Sequence, residues 1–419
     1  MRMFDVAVVG GGPAGIAAAL EAQKNGSSVV ILERNEQLGG ILRQCIHSGF
    51  GLRHFKEELT GPEYAQRFID QLEDSGITVL LSTMVLHIGS NLRIEAMHTS
   101  GFIEIQARAI VLAMGCRERT RGEIRIPGAR IAGVYTAGLA QYYINIENYR
   151  PGQRFVILGS GDIGLIMARR LSLEGMEVEG VYELMPYANG LGRNIKNCLE
   201  DFQIPLHLST TVTRVFGKNR VEAVEVSQVD EQLHPIPGTQ RRVACDTLLL
   251  SVGLIPENEL TRAAGAILDH RTGGAEVDDT LQTSIPGIFA CGNVLHVHDL
   301  VDNVTAEAQL AGWAAARFAS RNAETPQPVL SIVAQGAVSY TVPVQLVHRH
   351  QTRVSFRVRR PVERGRLVIY RDDQPIYQSP VRSFKPSVME QQLLPEQWLA
   401  QATGSITLSV LPETEGENA

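Results

Sequence analysis

The stretch Val6–Arg34, VAVVGGGPAGIAAALEAQKNGSSVVILER, decides the fold. Four apolar residues, Val6 to Val9, run straight into Gly10-Gly11-Gly12-Pro13-Ala14-Gly15. A small-residue helix is expected from Ile16 to about Lys24, and a second apolar run, Val29 to Leu32, ends at Glu33. Strand, glycine turn, helix, strand and acid is the order a dinucleotide site needs. Gly10 permits the turn, Gly12 lets backbone N–H groups approach a pyrophosphate, and Gly15 lets the helix pack closely on the strand. The N-terminus of that helix offers partial positive charge to the phosphates. Glu33, 18 residues after Gly15 and followed by Arg34, is placed to accept hydrogen bonds from a ribose hydroxyl pair.

The pattern recurs. Arg154-Phe155-Val156-Ile157-Leu158 leads into Gly159-Ser160-Gly161-Asp162-Ile163-Gly164, with a helix expected over Leu165–Glu174 and a strand over Val178–Tyr182 ending at Glu183. The first glycine and the acid are 23 residues apart in the first copy and 24 in the second. Two such turns in one chain imply two dinucleotide sites. A carboxylate at Glu183 favours a free ribose hydroxyl and repels a 2′-phosphate, and no basic residue follows until Arg193. The second site is therefore expected to prefer NADH over NADPH.

Length and composition set the frame around these motifs. A chain of 419 residues exceeds one core, and 44% hydrophobic with 20% charged residues is ordinary for a globular protein. A net charge of −6 gives no reason to expect nucleic-acid binding. The first strand begins by residue 5, which leaves no room for a signal peptide, and Val6–Leu20 is too short and glycine-rich to span a bilayer. Five widely spaced cysteines, with no C-x-x-C, suggest neither a disulfide framework nor a zinc or iron–sulfur site, and a reducing cytoplasm is the expected compartment.

Between the motifs, Leu38–Gly51 reads as an irregular loop lying over a cofactor, Pro62–Ser75 as an amphipathic helix, and Ile77–Leu81, Leu92–Met97 and Phe102–Ala107 as short strands. Ala109–Gly115 and Cys245–Gly253 read as buried strands ending in glycine, and an alanine-rich helix is expected from about Asn303 to Ala319. Its N-terminus suits a flavin carbonyl that gains negative charge on reduction. From Ala323 the composition shifts: residues 323–328 read as a linker, 329–411 as a small β-rich domain and 412–419 as a disordered tail. Arg349 to Arg371 holds eight arginines against the single acid Glu363, either a solvated strand face or a docking face for an acidic partner.

The two glycine motifs, Ala113-Met114-Gly115, Gly253 with Pro256, and Gly287-Ile288-Phe289-Ala290-Cys291-Gly292-Asn293 together resemble the pyridine nucleotide–disulfide oxidoreductase family of flavoproteins over about residues 4–322. The resemblance implies an α/β fold of two Rossmann-like three-layer dinucleotide-binding domains, followed here by the small C-terminal β-rich domain. The FAD domain would be discontinuous, 1–120 with 260–322, and the NAD domain would occupy 121–259. It assigns Gly10, Gly12, Pro13, Ala14, Gly15, Glu33, Arg34, Gly40, Ala113, Gly115, Gly292, Asn293, Asn303 and Val304 to FAD. Gly159, Gly161, Asp162, Ile163, Gly164, Glu183 and Gly253 go to NAD. An aspartate is usual in the family where this chain has Asn293, whose side chain can still hydrogen-bond.

Within the family, Gly39–His47, Gly115-Cys116-Arg117-Glu118-Arg119 and Gly292–Asp299 are similar to oxidoreductases paired with glycerol-3-phosphate dehydrogenase-type flavoproteins. They are also similar to the flavin subunits of opine oxidase and hydrogen cyanide synthase complexes. Those relatives imply electron transfer between NAD(H) and a partner flavoprotein dehydrogenase through FAD, sometimes with a small iron–sulfur subunit. Any such cluster would sit on another chain, because no cysteine follows Cys291.

Relatives that reduce disulfides carry a cysteine pair after Gly39-Gly40 or within the NAD domain, and here Cys45 stands alone. Cys45 with His47 remains a candidate single-thiol site, which would make the protein a stand-alone NADH-dependent disulfide, persulfide or peroxide reductase. A non-catalytic flavin-binding assembly subunit is a third reading. His296, His298 and Asp299 have the composition of a metal trio, but hydrogen bonding around the flavin is the better reading, and no metal is assigned. The oligomeric state is left open.

Overall fold

A computed structural model describes residues 2–320, 328–402 and 404–413. The opening stretch forms the strand Arg2–Val9, which becomes fully buried from Val6 onward, and the helix Pro13–Lys24. The strand lies parallel to Val29–Leu32 on one side and Gly101–Leu112 on the other, and Thr78–Leu80 and Ile288–Ala290 extend the parallel sheet. Every residue of Val29–Leu32 and Ile288–Ala290 is buried, as strands covered on both faces require.

Where two strands are expected at 102–107 and 109–115, a single strand runs Gly101–Leu112. Its first half is partly exposed and pairs antiparallel with Arg93–His98, which in turn pairs with Met84–Ile88. Its last four residues, from Ala109, are wholly buried in the parallel sheet. The charge at Arg108 therefore marks a passage from an open meander into a covered sheet, not a chain break. The expected helix over 62–75 is Gly61–Ile69, tightening to a 3-10 turn at Asp70–Leu72. It starts on a capping box, Thr60 with Glu63.

The alanine-rich helix spans Val301–Ser320 and lies directly on Pro13–Lys24: a Cβ on Gly312 would sit 2.1 Å from the Ala18 carbonyl oxygen. Both helices begin earlier than Ile16 and Asn303. In the first, Pro13 takes an opening position where a missing N–H costs nothing.

The chain divides into two compact units, residues 1–116 with 256–419 and residues 117–255. The crossings fall at 116/117 and 255/256, where 120/121 and 259/260 are expected. In the second unit Val134–Thr136, Thr247–Leu250, Arg154–Leu158, Glu177–Tyr182 and Leu206–His207 form a parallel sheet in that order. Three antiparallel strands, Thr210–Gly217, Val221–Gln228 and Arg241–Ala244, follow the fifth. The first unit repeats this plan of a five-stranded parallel sheet with an antiparallel meander. Only Thr247–Leu250 of the expected strand 245–253 is regular.

Residues 328–402 and 404–413 build two β-sheets around Phe356, Phe384, Leu394, Ile406 and Leu408. The strand Val338–Val342 also sends Tyr340 and Val342 into the core of the first nucleotide-binding sheet, which makes this β-region part of the first unit. The expected linker residues 323–327 and tail residues 414–419 lie outside the described residues. The tail does not begin at 412, because Pro412 ends the strand Ser405–Pro412 and Glu413 accepts hydrogen bonds from Arg364 and Arg366.

The arginine-rich segment is mostly engaged internally. Arg349 donates to the carbonyls of Leu399, Ala400 and Ala402, Arg357 to those of Pro386 and Val297, and Arg371 to Gln401. With Arg364 and Arg366 on Glu413, five of the eight arginines make hydrogen bonds within the protein.

Candidate functional site

Each unit carries a glycine turn clamped by its acid, and the two clamps make the same pair of backbone bonds. In the first, Glu33 Oε2 accepts the Gly11 N–H at 2.6 Å and Oε1 accepts the Asn35 N–H at 2.8 Å. In the second, Glu183 Oε2 accepts the Ser160 N–H at 2.9 Å and the Ser160 hydroxyl at 2.6 Å, and Oε1 accepts the Met185 N–H at 2.9 Å. Gly11 and Ser160 directly follow the first glycine of each motif, and Asn35 and Met185 stand two residues after each acid. Both carboxylates are buried. The acids therefore shape the turns, and only their remaining lone pairs could reach a ribose. Arg34 is exposed beside the first clamp.

The glycines are needed for separate reasons. Gly10 has φ +106°, and a Cβ there would lie 2.4 Å from the Ala113 carbonyl oxygen. Gly159 has φ +92° with the Ser251 oxygen 2.1 Å away, so each turn abuts the end of the strand beside its own in the sheet. Gly15 packs against the Gly10 oxygen, 1.8 Å from a Cβ, and Gly164 against the Ser251 side chain, 2.6 Å away. In contrast, a Cβ on Gly12 would meet only the Gly40 Cα, at 4.0 Å, and Gly115 and Gly253 face open space. Gly12 is the N-cap of Pro13–Lys24, so the space beside it is where a pyrophosphate would approach that helix.

The N-cap residues of the helices Pro13–Lys24 and Asp162–Leu173 make no side-chain cap, which leaves first-turn N–H groups for an anion, although in the second Ser251 Oγ accepts the Gly164 N–H. Asp162 does not oppose this: its Oδ1 accepts from Leu191 N–H and Asn194 Nδ2, anchoring the segment after the fourth strand, and Ile163 packs on the core.

The Gly292 segment closes the first site. Gly292, at φ +73°, presses on Ala14 and Val304, at 2.8 and 3.4 Å from a Cβ. Asn293 Oδ1 accepts the His298 N–H, and its Nδ2 lies 3.5 Å from Cys116 Sγ. Asn303 accepts a hydrogen bond from Arg53, and Asp302 accepts the His54 N–H, which ties the 51–55 loop to the start of the long helix.

Sequence reasoning missed the centre of this region, Glu307. Its Oε1 accepts the Gly292 N–H at 2.7 Å and faces His298 Nε2 at 3.1 Å, and its Oε2 faces His296 Nε2 at 2.7 Å. Burial alone would raise the Glu307 carboxyl, but the two histidines outweigh it and hold the group well below the usual carboxylate range. Burial lowers His296 below its ordinary value. The Tyr340 ring edges onto His296 at 5.9 Å, bringing the C-terminal strands to the same cluster. Asp299, expected beside the histidines, accepts the Met389 N–H instead. The available signal was an acid four residues after Asn303, on the same helix face.

Gly39 and Gly40, at φ +101° and +54°, lead into a 3-10 turn, Gly40–Gln44, where an irregular loop is expected. A Cβ on Gly40 would come within 3.1 Å of the Gly12 Cα, so the loop sits against the first glycine turn. Cys45 Sγ lies on the Ile41 carbonyl at 3.3 Å, and desolvation pushes its thiol up to about 12. His47 Nδ1 lies 3.0 Å from the Ser48 carbonyl, with its ring against Phe50. All five cysteines are thiols, three of them buried.

Two acid-clamped glycine turns on duplicated parallel sheets define an oxidoreductase with two dinucleotide sites. The chain belongs to the pyridine nucleotide-disulphide oxidoreductase family, which matches residues 4–316. It is 27% identical to the glutamate synthase [NADPH] small chain of Mycobacterium tuberculosis, over 77% of this chain and 68% of that one. It is 26% identical to one component of the opine oxidase of Agrobacterium tumefaciens, over 69% of this chain and 61% of that protein, so it spans less than two thirds of the latter. The thioredoxin reductase of T. acidophilum shares the fold, with a TM-score of 0.63 and 23% identity, over 77% of this chain and 100% of that one.

The protein is thus a flavin-dependent pyridine nucleotide oxidoreductase, and the open cradles at Gly12 and Gly253 fit FAD and a pyridine nucleotide. FAD, when bound, supplies hydride and electron exchange, and the turns, the clamps and the helix N-termini would hold and orient it. Among the described residues no helix is long and apolar enough to cross a membrane.

Proposed function

We propose that the protein is the electron-transfer component of a larger assembly, moving reducing equivalents between NAD(H) and a partner flavoprotein dehydrogenase. The observation that carries this reading is the lone Cys45. A disulfide or persulfide reductase needs a thiolate, and desolvation pushes the Cys45 thiol up to about 12, which favours the protonated form. Both relatives named above are, by their names, one component of a multi-chain enzyme. An iron–sulfur centre, if the assembly has one, belongs to another chain. The Glu183 clamp favours NADH over NADPH, and the thiol state of all five cysteines suits a cytoplasmic setting.

Anaerobic addition of NADH should bleach the flavin band near ~450 nm, with NADPH slower. Native purification should recover a partner dehydrogenase together with this chain, identified by mass spectrometry. No bleaching by either nucleotide would leave only a non-catalytic flavin-binding role. Isolation as a lone chain fully active on a small substrate would end the assembly reading.

Cys45→Ser tests the single-thiol alternative directly. Electron transfer from NADH to the co-purified partner dehydrogenase should keep kcat/KM within about tenfold, under ~1.4 kcal/mol. A larger loss, with flavin content unchanged, would transfer the chemistry to Cys45.

A further inference from the structure

We propose that Asp279, His348 and His350 form a binding site for a first-row divalent transition cation, with Zn²⁺ the ion that suits it best. Asp279 stands in a tight turn held by Asp278, whose Oδ1 accepts the Thr280 and Gln282 N–H groups. The turn faces the C-terminal β-region, where the Val344 N–H donates to the Val277 carbonyl. The Asp279 side chain is 0% exposed, and its Oδ1 accepts the Val347 N–H at 2.6 Å. On its Oδ2 two imidazoles converge, His348 Nδ1 at 3.1 Å and His350 Nε2 at 3.8 Å.

His348 is within hydrogen-bond reach of the Asp279 carboxylate and His350 is not, so the convergence of both imidazoles on one oxygen suits a metal. Zn²⁺ bonds of ~2.0–2.1 Å to nitrogen and oxygen imply about 3.3 Å between ligands of a tetrahedron. The observed 3.1 and 3.8 Å bracket that value, and the three ligand atoms all lie within 4.8 Å of one another. At 3.8 Å, His350 makes no hydrogen bond to the carboxylate. Two imidazole nitrogens and one carboxylate oxygen are the donor set of zinc, nickel or copper, not of magnesium or calcium.

The surroundings are suited as well. The Val347 N–H fixes the carboxylate as an outer partner does in metal sites. Both histidines are partly exposed, 44% and 56%, which gives an ion an entry path and leaves a coordination position for water. Among the described residues no lysine or arginine pairs with Asp279, and the intervening Arg349 is committed to main-chain carbonyls. A buried carboxylate without a permanent cation favours one from solution. The Glu307 cluster differs, because each histidine there already hydrogen-bonds its own carboxylate oxygen.

The ion would clasp the Asp279 turn to the segment following the strand Gln345–Leu346, joining two parts of one unit that are 69 residues apart in sequence. Full-length protein stripped with EDTA and dialysed is titrated calorimetrically with Zn²⁺, and Co²⁺ is followed by its visible absorption. One ion per chain and a Zn²⁺-dependent rise in unfolding temperature are expected. The double variant His348→Ala/His350→Ala should lose at least the roughly 10–100-fold in affinity that even an outer partner is worth. It should also lose the thermal shift while keeping its flavin. If the double variant is unstable, His350→Gln, at the more exposed ligand, carries the same readout. Absence of stoichiometric Zn²⁺ binding, or equal affinity in wild type and variant, overturns the site.

Discussion

Gly15→Ala is expected to yield protein that purifies without flavin. The new Cβ would stand 1.8 Å from the Gly10 carbonyl oxygen and 2.9 Å from its carbon, and neither atom can retreat. The Gly10 N–H is bound to the Leu32 carbonyl at 2.9 Å, and Gly10 is already pressed on the Ala113 oxygen. Relief requires the whole turn to shift, which moves the N–H groups that would meet the pyrophosphate. Overpacking of this kind costs about 1–3 kcal/mol or more. At the upper end FAD affinity falls by roughly 100-fold. The flavin-to-protein absorbance ratio measures it.

Gly164→Ala offers the internal contrast. Its Cβ would stand 2.6 Å from the Ser251 Cβ, which no side-chain rotation moves, so the second turn should shift; the flavin should stay and only nucleotide affinity should weaken. Gly192→Ala, in open space, should change neither. Flavin retention by Gly15→Ala at the wild-type level would show that the first turn does not hold it.

Glu307→Ala is expected to be the most destabilising side-chain truncation in the first unit. It strands the Gly292 N–H and two buried histidines at once. Removing one partner from a buried charged pair costs about 3–5 kcal/mol, a fall of roughly 6–20 °C in unfolding temperature. Glu307→Gln should lose less, because its amide oxygen can still accept from Gly292.

The pH dependence follows from the signs. The Glu307 carboxyl is held below its ordinary value in the folded protein, so its contribution is full above the unfolded carboxylate pKa and is lost as pH falls toward the folded one. His296, lowered by burial, binds its proton more readily when unfolded and adds to the same acid weakening. Wild type and Glu307→Gln should therefore converge in stability in acid and separate toward neutral pH, as thermal melts across that range would show. An equal gap at every pH would mean that Glu307 is not held as the anion.

How much of this was legible follows from the range of each interaction. The glycine turns, the paired acids and the small-residue helices are signalled within about thirty residues, because strand, turn and helix chemistry is local. The same locality explains the errors. Arg108 looked like a break because a strand that changes from open to covered sheet changes its polarity pattern midway. The first helix starts earlier than its first bulky apolar residue because proline, not hydrophobicity, opens it.

The sequence by itself determined that this is a protein of two dinucleotide sites with one cysteine where a pair would be needed. Both facts depend only on which residues follow one another. Tertiary structure alone decided what the acids do, because each clamp closes across more than twenty residues onto a backbone N–H that no motif displays. It alone brought Glu307 to Gly292, and Asp279 to two histidines in a different sheet region. Such pairings are made by the packing of whole elements, and packing leaves no periodic trace in the chain.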